Sequence, residues 1–96
     1  MHAAAAAPYR ITAVFDETTL PTALRREHRT KAGVWGLVRV LEGRLRLAYA
    51  DGTQDIILGP EAPGLVRPEQ AHLVEPLGAM RMQVEFYTAE PPLSDS

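Results

Sequence analysis

A chain of 96 residues with no break in composition is expected to form one domain. Its formal net charge of −2 gives no reason to expect a polyanion as a partner, so nucleic acid binding is not predicted. The lack of cysteine excludes disulfides, thiolate nucleophiles and thiolate metal ligands. Imidazole and carboxylate groups are therefore the strong metal ligands that this sequence offers.

The two ends of the chain carry no pattern of regular structure. Residues 1–8 hold an alanine run that ends at Pro8, and residues 89–96 read EPPLSDS after an alanine, so both segments are expected to be frayed. The start lacks the basic segment and long apolar core of a secretory signal. No later run approaches the length of a membrane span, and we expect a cytoplasmic protein with no membrane contact.

Residues 9–15 form the first β-prone run and are expected to be an edge strand. The polar residues 16–19 before Pro21 leave room for a turn or two of helix at most. From residue 32 onward, glycines divide short apolar and β-branched runs. The Asp51-Gly52 pair predicts a hairpin with a type I′ turn, in which both central residues take a positive φ.

Two later runs alternate between polar and apolar residues, as strands with one buried face do. In residues 44–49 the leucines are expected to face the core and the arginines to face solvent. In residues 80–87 the methionines, Val84 and Phe86 form one row, and polar residues together with Tyr87 form the other. Short strands at this spacing predict an all-β sandwich or barrel over residues 9–88.

The segment from Val66 to His72 resembles the second half-motif of the cupins, which has a strand, a proline-containing turn and an inward-facing histidine. Gly59 stands before it, as in that motif, whereas Glu69 occupies the position of the usual glycine. The resemblance implies that His72 points into a pocket.

The first cupin half-motif, which has two histidines and a glutamate, is matched only in part. His28 stands near its first histidine and Gly43 closes the stretch, but Lys31 and Gly36 lie about where the second histidine and the glutamate would be. A complete site of three histidines and one glutamate is therefore not encoded.

Several blocks together resemble the small cupins of the TehB-type tellurite-resistance family, which occur alone or at the N-terminus of a methyltransferase. The blocks are residues 28–36 (HRTKAGVWG), 40–43 (VLEG), 68–75 (PEQAHLVE) and the closing Phe86-Tyr87. The resemblance implies a single-domain cupin, that is, a double-stranded β-helix or jelly-roll barrel. It also implies a role in a chemical-stress response such as tellurite resistance.

A metal site with nitrogen and oxygen ligands is one interpretation of the two histidines. His28 and His72 with one carboxylate would leave open positions on Fe(II), Mn(II), Ni(II) or Zn(II). The third ligand is either Glu75 or Glu85. Strict alternation turns Glu75 away from His72, and Glu85 can face inward only if the apolar row of the last strand faces outward. The alternatives are hydrogen-bonded core histidines and a Glu75 that pairs with an arginine.

The remaining pocket candidates are Lys31, which can hold an anion beside His28, and Trp35, which is either core or an aromatic wall for a ligand. Three functions stay open: a metal-dependent enzyme of the dioxygenase or Lewis-acid type, a non-catalytic sensor that binds a small molecule or oxyanion, and a degenerate oligomerisation domain. We expect a homodimer, because an unprotected strand edge such as residues 9–15 favours pairing between chains.

Overall fold

The protein is described over residues 7–92 by a computed structural model. The described part is built from short strands and one four-residue helix, which confirms the all-β prediction. In chain order the elements are β1 (Arg10–Ile11), β2 (Phe15–Asp16), α1 (Thr22–Arg25), β3 (Trp35–Glu42), β4 (Leu45–Tyr49), β5 (Ile56–Leu58), β6 (Gly64–Val66), β7 (His72–Pro76) and β8 (Arg81–Tyr87).

The strands form two antiparallel sheets. In the five-stranded sheet the order is β1-β8-β3-β6, and β2 also pairs with β8. The three-stranded sheet has the order β5-β4-β7. The predicted edge run over residues 9–15 is confirmed as an edge, although it is divided into β1 and β2, which both pair with β8.

Both sheets contribute to one hydrophobic core, because the alternation along their strands places apolar side chains on the facing sides. Leu45 and Leu47 of β4 are fully buried, as are Leu58 of β5 and Met82 of β8. The sheets approach closely at Gly64, where an added Cβ would lie 2.6 Å from Cδ2 of Leu47. This contact explains why β6 begins with a residue that has no side chain.

The hairpin predicted at Asp51-Gly52 is present, since β4 and β5 are antiparallel neighbours, but the type I′ turn is wrong. Gly52 has a φ of +92°, whereas Asp51 is not among the residues with positive φ. The connection is longer than two residues and runs from residue 50 to residue 55. Within it, the carboxylate of Asp51 accepts a hydrogen bond from the backbone N–H of Thr53 and so stabilises the turn locally.

The predicted frayed segments fall largely at the limits of the described chain. Residues 1–6 and 93–96 lie outside it, and residues 88–92 have no regular secondary structure, although Pro91 is buried. Within residues 7–92, no helix has the length and apolar character needed to cross a membrane.

Candidate functional site

His28 and His72 are neighbours in the structure. His28 follows α1 in an extended segment, and its backbone forms an isolated antiparallel bridge with the first residue of β7. The N–H of each residue donates to the carbonyl oxygen of the other at 2.9 Å. The two imidazole ring centres are 4.1 Å apart, with an angle of 54° between the ring planes. The backbone pairing thus brings together two histidines that are 44 positions apart in the chain.

Each imidazole is oriented by a backbone carbonyl two residues earlier in the chain. Nδ1 of His28 lies 2.9 Å from the carbonyl oxygen of Arg26, and Nδ1 of His72 lies 2.8 Å from that of Gln70. A carbonyl oxygen can only accept, so Nδ1 carries the proton in both rings. In the neutral form, Nε2 is therefore the acceptor nitrogen in both rings, and within residues 7–92 it has no hydrogen-bond partner.

His72 is the more deeply placed of the two histidines, with 5% of its surface exposed. Its pKa is lowered from 6.5 to about 4, chiefly by burial and to a smaller extent by the neighbouring His28, while the hydrogen bond to the carbonyl of Gln70 opposes the shift. Desolvation disfavours the charged imidazolium, which explains the direction of the change. His72 is neutral at pH 7 and can accept a hydrogen bond at Nε2.

Both histidines line a cavity of about 260 Å³ between the two sheets and the segment that follows α1. The cavity has a distinctive polar lining. Besides the imidazoles it contains three cationic side chains, from Arg10, Arg29 and Lys31, and three hydroxyls, from Tyr9, Thr12 and Thr30. No aspartate or glutamate lies on the lining. The charge around this cavity is therefore positive.

The cations of the lining are not neutralised by nearby carboxylates. None of Arg10, Arg29 and Lys31 forms an ion pair with a carboxylate of residues 7–92, and all three are exposed at the surface. The guanidinium of Arg29 donates one hydrogen bond to the carbonyl oxygen of Glu69 at 3.3 Å. These side chains retain donors that can bind an anion.

The rest of the cavity wall is apolar. Its side chains come from α1, the loop before β3, and strands β6, β7 and β8, and they include Leu24, Val34, Val66, Val74, Met82 and Phe86. Val66, Val74 and Met82 also belong to the buried core, with at most 2% of their surface exposed. Gly36 lines the cavity where β3 passes, so the absence of a side chain at this position leaves space open.

Glu75 and Glu85, the predicted third ligands, are both held away from the histidines by arginines. Glu75 lies on the face of β7 opposite His72, and its carboxylate is 2.8 Å from Nε of Arg46. Glu85 lies 3.2 Å from Nε of Arg39 and accepts a hydrogen bond from the hydroxyl of Tyr87 at 2.6 Å. The structure therefore places neither carboxylate on the cavity lining.

Of the other two predicted pocket residues, Lys31 lies on the cavity lining and Trp35 does not. Trp35 begins β3, where it pairs with Tyr87 of β8. Because Gly36 faces the cavity, alternation places Trp35 on the opposite face of the five-stranded sheet. Its half-buried ring is thus not a wall of this cavity.

A divalent transition metal fits these residues poorly. The two imidazoles supply two nitrogen donors, and within residues 7–92 there is no group of three or more histidine, aspartate and glutamate side chains that could hold a metal ion. A carboxylate ligand would also offset the charge of the ion, whereas the lining offers Arg10, Arg29 and Lys31 instead. The donor set is better suited to an anion.

No sequence pattern identified Arg10, Thr12, Arg29 and Thr30 as site residues. Arg10 and Thr12 are two positions apart on the predicted edge run, so a common face could have been inferred from alternation. Arg29 and Thr30 lie directly after His28, in the block that carried the family resemblance. No local pattern indicates that β1 and this segment border the same cavity.

Thr30 connects the two segments that carry the histidines. Its hydroxyl donates to the carbonyl oxygen of Arg67 at 3.1 Å and accepts a hydrogen bond from the N–H of Glu69 at 3.0 Å. The turn that contains Glu69 precedes His72, and the segment that contains Thr30 follows His28. Thr30 therefore stabilises the relative position of the two halves of the site.

Comparison with known proteins links the chain to one family. A family model described as "TehB-like domain" matches residues 10–84. The crystal structure of TehB from Haemophilus influenzae is similar, with 29% sequence identity and a TM-score of 0.78, and the match covers 88% of this chain and 32% of TehB. This chain thus spans about a third of the length of TehB.

A crystal structure of a protein from E. coli strain K12 shows the same fold, with a TM-score of 0.79 and 20% identity over 94% of this chain and 97% of that protein. No curated protein matches the sequence at a significant level. The family match extends over most of the described residues, from β1 to the middle of β8. The chain therefore belongs to the TehB-like family.

Proposed function

We propose that this protein is a binding module that reversibly holds a small anion in the cavity beside His28 and His72. The observation that carries the proposal is the composition of the lining, which has three cations, two imidazoles and no carboxylate. Cations of a binding cleft attract anions by their summed field and bind them by charge-assisted hydrogen bonds. A small oxyanion or a carboxylate has the matching charge and acceptor oxygens.

The polar groups of the lining interact with an anion in different ways. Arg29 and Lys31 supply positive charge and N–H donors at the exposed side of the cavity. The neutral imidazole of His72 accepts at Nε2, so it can receive a hydrogen bond from a protonated oxygen of the ligand. An unprotonated ligand instead favours proton uptake by His72, because a nearby negative charge stabilises the imidazolium.

We further propose a jelly-roll cupin scaffold for this site. Two antiparallel sheets with a shared core, and a histidine that faces inward after a proline-containing turn, support that assignment. Relationship to the TehB-like family supports a role in a chemical-stress response of the tellurite-resistance type. A cytoplasmic location and a homodimer paired through the edge strands β1 and β2 belong to the same proposal.

Metal binding by His28 and His72 is a second candidate. The observation in its favour is that both Nδ1 atoms donate to backbone carbonyls, which leaves both Nε2 atoms available in the way that metal-binding histidines are usually oriented. Untagged protein would then contain a transition metal in near-stoichiometric amount and would lose it on the substitution His72→Gln. Metal-free protein of unchanged stability would contradict this candidate.

Titration calorimetry with sodium acetate and sodium phosphate at pH 7 tests the anion proposal. The informative pair of variants is Lys31→Gln, which removes a charge from the lining, and Arg81→Gln, which removes a charge from the β8 residue that pairs with Glu42. Both change the net charge equally. A charge-assisted hydrogen bond contributes roughly 1.5–3 kcal/mol when well formed. Solvent weakens this contribution for an exposed side chain such as Lys31, so the expected loss is about 1 kcal/mol, or about fivefold in affinity. Equal affinities of the two variants would contradict the proposal.

A further inference from the structure

We propose that the ligand is an amphipathic organic monoanion, namely a small carboxylic acid with an apolar body, rather than an inorganic oxyanion. This inference rests on the proposed anion-binding function and names the ligand class for the same cavity. The feature that carries it is the contrast between the cationic, exposed side of the lining and its buried side, where His72 is the polar exception among apolar residues.

The apolar side of the cavity would be unfavourable for a bare inorganic ion. Val74 and Met82 are almost fully buried in the core, and Leu24 and Phe86 are partly buried and pack against it. These side chains offer no hydrogen-bond donors. An ion with acceptor oxygens on every side would lose water there without compensation, which is costly. Sites for inorganic oxyanions instead surround the ion with N–H and O–H groups.

The burial of the lining residues gives the orientation of the ligand. Arg10, Arg29 and Lys31 are exposed, so they border the mouth of the cavity, whereas Val74, Met82 and the neutral imidazole of His72 lie in its depth. A carboxylate at the mouth can keep part of its hydration and meet the cations. The apolar body then extends inward against buried side chains, where removal of its surface from water favours binding.

The size of the cavity restricts the ligand further. Its volume of about 260 Å³ is slightly below the usual range for sites of drug-sized ligands. At about 30 Å³ of liquid volume per water molecule, it has room for roughly nine waters. Benzoate and phenylacetate have bodies of suitable size, and acetate has the same charged group without the apolar body.

The test is a titration of the full chain with acetate, phosphate, benzoate and phenylacetate at pH 7, followed by calorimetry and by the imidazole resonances of His28 and His72. Burial of about 100 Å² of ring surface corresponds to roughly 50- to 100-fold tighter binding before ordering costs. We therefore expect benzoate or phenylacetate to bind at least about tenfold more tightly than acetate and phosphate.

Two substitutions of residues in the cavity lining test where the apolar body of the ligand binds. At Gly36 an added Cβ would lie 3.5 Å from Cβ of Val66 and 3.6 Å from Cγ2 of Thr30, which are ordinary contacts, so Gly36→Ala can be accommodated while it narrows the cavity. Val34→Thr keeps the shape of a half-buried side chain and makes the wall more polar. Both variants should weaken benzoate binding severalfold and leave acetate binding nearly unchanged, whereas Lys31→Gln should weaken both ligands.

The possible outcomes separate the ligand class from the anion-binding function. Equal or tighter binding of phosphate, with matching shifts at His28 and His72, would overturn the organic-acid inference and leave the anion-binding module in place. Absence of binding by all four anions would overturn both proposals. Tighter binding of benzoate that is insensitive to Gly36→Ala and Val34→Thr would place the aromatic acid outside this cavity and would also overturn the inference.

Discussion

Acidification from pH 7 to pH 5 should destabilise this protein mainly through His72. The imidazole has a pKa of about 4 in the folded protein and an ordinary value of 6.5 when it is exposed. Below pH 6.5 the unfolded chain therefore binds a proton that the folded chain does not bind, and the free energy of unfolding decreases as the pH falls. The loss continues until the pH passes below about 4, where the folded protein also binds the proton.

The magnitude follows from the difference between the two pKa values. At 1.36 kcal/mol per pKa unit, the full effect of His72 is about 3 kcal/mol. About 2 kcal/mol of this amount is expected between pH 7 and pH 5. Asp16 and Asp51 contribute little to the change in stability between pH 7 and pH 5. Hydrogen bonds lower the pKa of each carboxyl from 3.8 to about 2, so the stabilisation that they provide is lost only between pH 3.8 and pH 2.

Urea unfolding followed by the fluorescence of the single tryptophan, Trp35, measures this difference directly. The comparison is between the wild type and His72→Gln, whose neutral amide cannot take up the proton. We expect the pH dependence of the variant to be smaller by about 2 kcal/mol over the interval, whatever its absolute stability. A wild-type His72 resonance that titrates near pH 6.5, or an unchanged pH dependence in the variant, would refute the reasoning.

Three further substitutions test local backbone conformation, packing and hydrogen bonding, each by urea unfolding at pH 7. Glu69→Gly should raise stability by up to about 1 kcal/mol, because Glu69 has a φ of +61°, a conformation that is strained for a residue with a Cβ. A decrease in stability would contradict this account. Gly43→Ala should lower stability by more than about 2 kcal/mol, because a Cβ there would lie 2.9 Å from Cα of Met80; a near-neutral effect would show that this contact relaxes. Thr30→Val should lower stability by about 1–2 kcal/mol through the loss of two hydrogen bonds, including the one to Arg67, and an unchanged value would mean that the turn is held by other contacts.

Much of the fold followed from local patterns in the sequence. Alternation correctly assigned the leucines of β4 to the core. It left open which row of the last strand faces inward, and the structure buries Met80, Met82 and Val84 together with Tyr87 from the other row. Gly43 and Gly52 mark strand ends and lie in turns with positive φ, whereas Gly36, which was also expected to divide two runs, lies inside β3. The turn type after β4 was wrong because a dipeptide preference does not determine the length of the loop around it.

Some of the residues that line the cavity were named from the sequence. His28, His72 and Lys31 were identified through the blocks that resemble a known family, and the structure brings all three to one cavity. The sequence did not decide between Glu75 and Glu85 as the third metal ligand. Glu75 required a break in the alternation along its strand, and Glu85 required the apolar row of the last strand to face outward. Cross-strand arginines pair with both, and such pairs depend on strand register, which one sequence does not reveal.

The positive character of the cavity could not be inferred from composition. The chain has a net charge of −2, and the cations of the lining come from β1 and from the segment after α1. These cations are far apart in the sequence, so the sequence does not indicate that they lie close together. They make the cavity positive only because no carboxylate lies on the same lining. Only the three-dimensional arrangement shows both features.

The central claim is that a small anion binds beside the two histidines, and imidazole NMR of His28 and His72 during an anion titration tests it most directly. With benzoate as the probe, both residues should show saturable shifts. Binding should raise the pKa of His72 above its value of about 4 in the free protein, because a nearby negative charge favours the imidazolium. Saturation by benzoate without a change at either imidazole, or a titration of His72 that is unaffected by the bound anion, would contradict the account.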